Sequence, residues 1–220
     1  LLRVTVTDTE TKFDFGYQEL LLLPEKAVFI EKNRILLLSD LHLGKASHFR
    51  KAGIPVPVGV NNTNLDNLAQ LLIRYKPLRV LFIGDLFHSH FNYEWESFGQ
   101  LLAGFPETEF ELVNGNHDIL SDIQYKRVRL RCHRKLELFP EFFLLHEPDP
   151  DLTGFQICGH LHPAVKLSGK GRQTVTLPCF WFSNKTGILP AFGAFTGRSI
   201  IRPGKADRVF VIVAEKVIVV

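Results

Sequence analysis

The sequence predicts a mixed α/β chain in which two β-sheets pack together with helices outside. Three observations carry that reading. Apolar runs of strand length alternate with amphipathic segments through the first half, the chain beyond about residue 128 reads almost wholly as strands and turns, and no linker-like stretch divides it. With 220 residues, 45% hydrophobic and 22% charged, one domain spanning 1–220 is expected.

Each element has its own warrant. "ELLLLP", "KAVFIE" and "RILLLSDLH" are short apolar runs bounded by charge or proline, and read as strands. In "NNTNLDNLAQLLIRYKP", Leu65, Leu68, Ala69, Leu72 and Ile73 follow i, i+3, i+4, i+7, i+8, an amphipathic helix stopped near Pro77. "RVLFIGD" is a buried strand. "NYEWESFGQLLAGF" sets Trp95, Phe98, Leu101, Leu102 and Phe105 on one helical face, a stripe that core packing explains. "EFELVNGNHD" is another strand, with a short helix expected near 119–126. "EFFLLHE", "FQICGHLHP", "AVKLSG", "QTVTLP", "GILPAFGAF", "RVFVIVA" and "KVIVV" complete the strand-rich half.

Composition narrows the partners. A net charge of +3 permits a nucleic-acid partner without requiring one. Cys132, Cys158 and Cys179 are far apart, with no Cys-x-x-Cys, so neither a disulfide framework nor a zinc knuckle is indicated. Each thiol is read as a small core residue in a reducing compartment. No apolar run reaches the roughly 18 residues of a membrane span, and the N-terminal stretch lacks the apolar segment of a signal peptide. A cytoplasmic protein is expected.

Five strand-like runs end in metal-binding residue types. "ILLLSDLH" delivers Asp40 and His42, "VLFIGD" Asp85, "ELVNGNHD" Asn116, His117 and Asp118, "FFLLHE" His146, and "FQICGHLH" His160 and His162. Strand ends place such groups rigidly, and ligands of α/β sheets bind beyond the carboxyl ends of strands. Singly each is weak, because an Asp-x-His arises by chance and a lone histidine is usually structural. Jointly they offer more ligands than the four that close a structural zinc site. They suit two divalent cations about 3.5–4 Å apart, bridged by a carboxylate, with Asp85 the natural bridge. Imidazole, carboxylate and amide oxygen without thiolate favour Mn, Fe or Zn. Such a pair would generate hydroxide near neutral pH and stabilise phosphoryl oxygens, so the expected reaction is hydrolysis of a phosphate ester.

In that order, Asp-x-His, Gly-Asp, Gly-Asn-His-Asp, a lone His and Gly-His-x-His resemble the calcineurin-like metallophosphoesterases. The resemblance implies a four-layer αββα sandwich of two mixed sheets flanked by helices. It implies that Asp40, His42 and His162 hold one metal, that Asn116, His146 and His160 hold the other, and that Asp85 bridges them. His117 would sit over the site near the leaving group, oriented by Asp118. More narrowly, "LLLPEKAVF", "SDLHLGKASHFRKAGIPVP", "GDLFHS", "HEP", "GHLHPAV", "LPCF" and "LPAFGAFTG" resemble the bacterial ligase-associated phosphoesterases. That implies a nuclease of the DNA damage response, with DNA as partner and a functional association with a DNA ligase and a helicase. "GDLFH" is also similar to SbcD-type nucleases, which would give His88 a phosphate-placing role. A hydrolase of a small phosphorylated molecule, and a scaffold that lost catalysis, remain the alternatives.

Two basic stretches flank these motifs. "GKASHFRKAG" follows the first, so Lys45, His48, Arg50 and Lys51 are candidates to hold substrate phosphate, against an ordinary solvated turn. In "KRVRLRCHRK", Arg127, Arg129, Arg131, His133 and Lys135 would share one face of an extended strand. Such a stripe attracts phosphate backbones, but charges also protect edge strands. Phe180, Trp181 and Phe182 are read as core or interface in preference to base-stacking groups.

Overall fold

The computed structural model describes residues 4–6, 9–45, 60–88, 91–169, 173–194 and 196–220. The first sheet contains β1 (Val4–Val6), β2 (Thr11–Phe15), β3 (Gln18–Leu23), β4 (Ala27–Ile30), β5 (Ile35–Ser39), β6 (Arg79–Ile83), β7 (Glu109–Val113) and β8 (Leu130–His133), side by side in chain order. Neighbours from β1 to β5 are antiparallel, joined by short turns. Neighbours from β5 to β8 are parallel. A parallel return needs a crossover, and each carries a helix: α1 (Val60–Tyr75), α2 (Tyr93–Ala103) and α3 (Asp122–Arg127).

The second sheet is built from β9 (Leu136–Phe139), β10 (Phe142–Leu145), β11 (Phe155–Cys158), β12 (Pro163–Ser168), β13 (Thr174–Ser183), β14 (Thr186–Ile188), β15 (Ser199–Ile200), β16 (Arg208–Val213) and β17 (Lys216–Val219). Its order is β15-β12-β13-β14-β11-β10-β9, with β16 and β17 continuing from β13. β10 and β11 run parallel.

Strand alternation divides the core. Leu36, Leu38, Val80, Phe82, Phe110 and Leu112 face the helices, meeting Leu68, Leu72, Trp95, Phe98 and Tyr125. Their alternates Ile35, Leu37, Leu81, Ile83 and Val113 face the second sheet, meeting Phe142, Ile157, Phe180 and Phe210. The expected α/β sandwich of two mixed sheets is therefore present. All three described α-helices lie on the first sheet. The far face of the second carries a smaller cluster of Val165, Cys179, Val209 and Val211.

Local readings shift in four places. Ile73 is exposed, because the buried stripe of α1 runs through Asn64, Leu68, Leu71 and Leu72. Cys158 and Cys179 are buried, but Cys132 is exposed. Phe180 and Phe182 are core, while Trp181 donates its indole N–H to Asp207 at 2.8 Å. The basic stretch is not one strand face: Arg127 ends α3, and Arg129 takes a left-handed backbone and donates to Leu102 O at 2.8 Å in the last turn of α2. Only residues 130–133 are extended, on the last strand of their sheet.

The inter-sheet core carries the first prediction. Phe13 is buried between Phe182 and Phe210, at ring-centroid distances of 4.8 and 4.9 Å. Phe13→Ala should lower unfolding free energy by about 3–5 kcal/mol, measured by urea denaturation. A drop of less than about 1 kcal/mol would mean that the two sheets do not depend on this packing.

Candidate metal centre

The registers deliver the site. Ser39, Ile83 and Val113 pair in one row at the ends of β5, β6 and β7. The next residues turn out of the sheet and carry Asp40, His42, Asp85, Asn116 and His117. Leu145 pairs with Cys158 at the ends of β10 and β11, immediately before His146 and shortly before His160 and His162. One corner of the sandwich thus gathers strand ends from both sheets.

Two groups of ligand atoms result. Asp40, His42 and His162 present atoms all within 4.8 Å of one another, and so do Asp85, His146 and His160. Within the first group, His162 Nε2 lies 3.3 Å from Asp40 Oδ1 and 3.4 Å from His42 Nε2. Within the second, His146 Nε2 lies 3.1 Å from His160 Nδ1 and 3.5 Å from Asp85 Oδ1. Asn116 Oδ1 joins it, 3.1 Å from His146 Nε2. The other oxygen of Asp85 faces the first group, 3.8 Å from His42 Nε2. Asp85 therefore addresses both groups, one oxygen to each.

These residues fit divalent cations on electrostatic grounds. Asp40 and Asp85 are almost wholly buried. Among the described residues no lysine or arginine pairs with either; their ion-pair neighbours are histidines. A buried carboxylate without a cation is costly. Their remaining partners are backbone amides: His160 N donates to Asp40, and His117 N to Asp85 Oδ1 at 3.0 Å. Burial pulls the His42 imidazole down to about 2, with Lys45 and neighbouring histidines adding to the effect. It is neutral, the form that coordinates metal. His162 Nδ1 lies 3.2 Å from Gly197 O; donation there leaves Nε2 free toward Asp40.

The backbone is bent to reach this arrangement. Asp40, His42, Asp85, His160 and His162 all have positive φ, between 47° and 64°. Left-handed non-glycine residues cost roughly 1–3 kcal/mol each and cluster at functional sites. The motif glycines make the close approach feasible. Gly84 has φ +71°, and a Cβ there would overlap the His146 ring. A Cβ on Gly115 would strike Asp85, and one on Gly159 would strike Asp40.

His117 and His88 form the open side. The His117 side chain is 41% exposed, and its Nε2 lies 4.0 Å from Asp85 Oδ2. Its ring lies against that of His88, centroids 3.8 Å apart. Asp118 does not orient His117, contrary to expectation. Its Oδ1 accepts from Leu86 N and Phe87 N at 2.9 and 3.1 Å, and its Oδ2 from Gly115 N at 2.8 Å. Burial pushes the carboxyl up to about 7, opposed by these amides. Asp118 ties the Asp85 loop to the Asn116 loop. Lys45 is half-buried; burial lowers its ammonium, while Asp85 and Asp40 pull the other way. His48, Arg50 and Lys51 lie outside the described residues.

Three supporting residues escaped the sequence reading. Glu94, buried in α2, accepts from Gly44 N at 2.6 Å and ties down the loop after the first motif. Asn64 donates to Leu41 O at 3.4 Å and accepts from Ala194 N at 3.0 Å. A polar residue in line with Leu68 and Leu72 on the apolar face of α1 was its available signal. Glu147 lies 3.7 Å from His160 Nε2.

A two-sheet α/β sandwich with paired carboxylate–imidazole groups at converging strand ends defines a metal-dependent phosphoesterase. The chain belongs to the calcineurin-like phosphoesterase family, whose sequence model matches residues 33–175. Among solved structures it is similar to the Pseudomonas putida nuclease MPE, with TM-score 0.81 and 27% identity over 96% of this chain and 100% of that one. A phosphoesterase from E. coli, Yfce, overlaps less, with TM-score 0.39 and 12% identity over 82% of this chain and 88% of that one. No curated protein matches the sequence significantly.

Gly84 gives the prediction for this site. Gly84→Ala adds a methyl group at positive φ where the His146 ring lies. Bound metal should fall by elemental analysis, and phosphoesterase activity should fall by roughly tenfold or more. Two metals and full activity would show that the ring relocates freely. Asp118→Ala should act differently, leaving three backbone amides without their acceptor. Each buried orphan costs about 1–3 kcal/mol, so the midpoint of chemical denaturation should drop clearly.

Proposed function

We propose that the protein is a DNA nuclease that hydrolyses phosphodiester bonds with two divalent cations, Mn²⁺ foremost. The observation that carries this reading is Asp85, which turns one carboxylate oxygen to each of two ligand groups. In this reading Asp40, His42 and His162 would hold one cation, Asn116, His146 and His160 would hold the other, and Asp85 would serve both. When bound, the pair would supply a nucleophile at neutral pH and stabilise charge on the phosphoryl oxygens. DNA is favoured over a small phosphorylated substrate by the similarity to a nuclease along nearly the whole chain.

The chain's own residues supply the rest. His117, exposed at the mouth and outside both ligand groups, donates a proton to the departing oxygen. His88 lies against its ring and takes the positioning role first expected of Asp118. Lys45, within the field of Asp40 and Asp85, attracts the substrate phosphate.

Product analysis on end-labelled single- and double-stranded DNA with Mn²⁺ tests the substrate. Internal cleavage supports the reading; turnover of an aryl phosphodiester with no DNA cleavage overturns it. His117→Ala tests the proton donor. It should retain two metals and lose roughly 10²–10⁴-fold on DNA, where a deoxyribose alkoxide departs. It should lose far less on a p-nitrophenyl diester, whose leaving group barely needs a proton. Loss of one metal would make His117 a ligand instead, and equal losses on both substrates would assign it to phosphate placement.

A further inference from the structure

Residues 126–135 contain six cations and no acid: Lys126, Arg127, Arg129, Arg131, Arg134 and Lys135. All six are exposed. The fold commits only some of them. Arg129 donates to Leu102 O, Phe105 O and Pro106 O. Lys135 places its ammonium 5.6 Å from the centre of the Phe143 ring. Arg131 reaches Glu111 only at 3.9 Å, a carboxylate already held by Arg79 and His133 at 3.0 and 2.7 Å. Among the described residues, none forms an ion pair with Lys126, Arg127 or Arg134.

Three of these cations, Lys126, Arg129 and Arg131, line a groove between α3 and β8. Its volume is about 410 Å³, and Tyr125, Lys126, Arg129, Arg131 and Cys132 line it, with Asp122 as the one acid. The strand beside the groove is tied to the loop of the metal centre. Asn114 N donates to His133 O at 2.8 Å, so the end of β8 abuts the base of the loop carrying Asn116 and His117. The same loop leads into α3. Ile119 and Ile123 along that path are exposed, a further departure from an ordinary solvated helix.

We propose that this groove and its rim track the phosphodiester backbone of a nucleic acid whose scissile bond lies at the metal centre. The inference rests on the nuclease reading and adds the surface that holds the flanking chain. Edge protection alone does not account for the pattern. Charges that protect an edge strand are carried by the strand itself, whereas Lys126 and Arg127 belong to α3 and not to β8. A single phosphorylated small molecule does not account for it either. Four residues of β8 already span about 13 Å, and duplex DNA carries one charge per roughly 1.7 Å of axis. The rim therefore meets several phosphates at once.

The test uses the Mn²⁺-loaded protein and two variants, Lys126→Gln/Arg131→Gln and Arg134→Gln. Affinity for a labelled duplex is measured by anisotropy before cleavage sets in, from 50 to 200 mM salt. The slope of log affinity against log salt should become shallower by about 0.9 for each phosphate that is no longer neutralised. KM on DNA should rise, while kcat/KM on an aryl phosphodiester, metal content and Tm stay unchanged. An unchanged slope in folded variants overturns the track, as do equal losses on the aryl diester. Aggregation with unchanged DNA affinity also overturns it, in favour of edge protection. Competition by polyglutamate as effective as that by DNA would point to an acidic protein partner instead. A wild type that binds DNA with a steep slope that the variants lose, yet cuts none, would keep the track and overturn only the nuclease reading.

Discussion

Two buried carboxylates, with no lysine or arginine partner among the described residues, govern the architecture around them. Withdrawing an ion from water costs several kcal/mol even after relaxation, and Asp40 and Asp85 sit together in one corner. Backbone amides from distant loops and a ring of imidazoles surround them. That environment suits divalent cations and would be unfavourable for most other purposes. His42, held neutral by burial, adds no positive charge that would compete with a cation.

The strain of the site is distributed and then held by packing. Five candidate ligand residues adopt left-handed backbone, and three glycines are pressed so close to candidate ligand side chains that no methyl group fits. Such an arrangement persists only where its surroundings over-determine it. The surroundings here are the aromatic layer between the sheets and the buried polar ties behind the site. Glu94 fixes Gly44, Asn64 joins the first loop to Ala194, and Phe192 N and Gly193 N donate to Ser39 O and Asp40 O. Asp118 belongs to the same set of ties.

This division separates two kinds of histidine. His42, His146, His160 and His162 point inward, among carboxylates. His117 and His88 lie against each other at the mouth. Only His42 and His146 are buried; His160 and His162 are partly exposed, as His88 and His117 are. Basic residues follow the same geography, with Lys45 next to the carboxylates and the α3–β8 rim farther out.

Much of this was legible in one dimension because strands end where their apolar runs end. "ILLLSDLH", "VLFIGD", "ELVNGNHD", "FFLLHE" and "FQICGHLH" each announce a strand and the group it delivers, so the ligand candidates and the two-sheet class follow from the sequence alone. Periodicity also located the two longer helices, since an amphipathic stripe is a local property. What the sequence left undecided depends on partners far along the chain. Whether Asp118 turns to its neighbour His117 or to the amides of Leu86, Phe87 and Gly115 is settled by how two loops meet. The alternating cations of residues 127–135 suggested one strand face, but α3 and the left-handed turn at Arg129 divide them between helix, turn and edge. Residue types and their order are written in the sequence. Which polar group finds which partner was decided only by the tertiary structure, because burial makes an unpaired donor or charge too costly to leave alone.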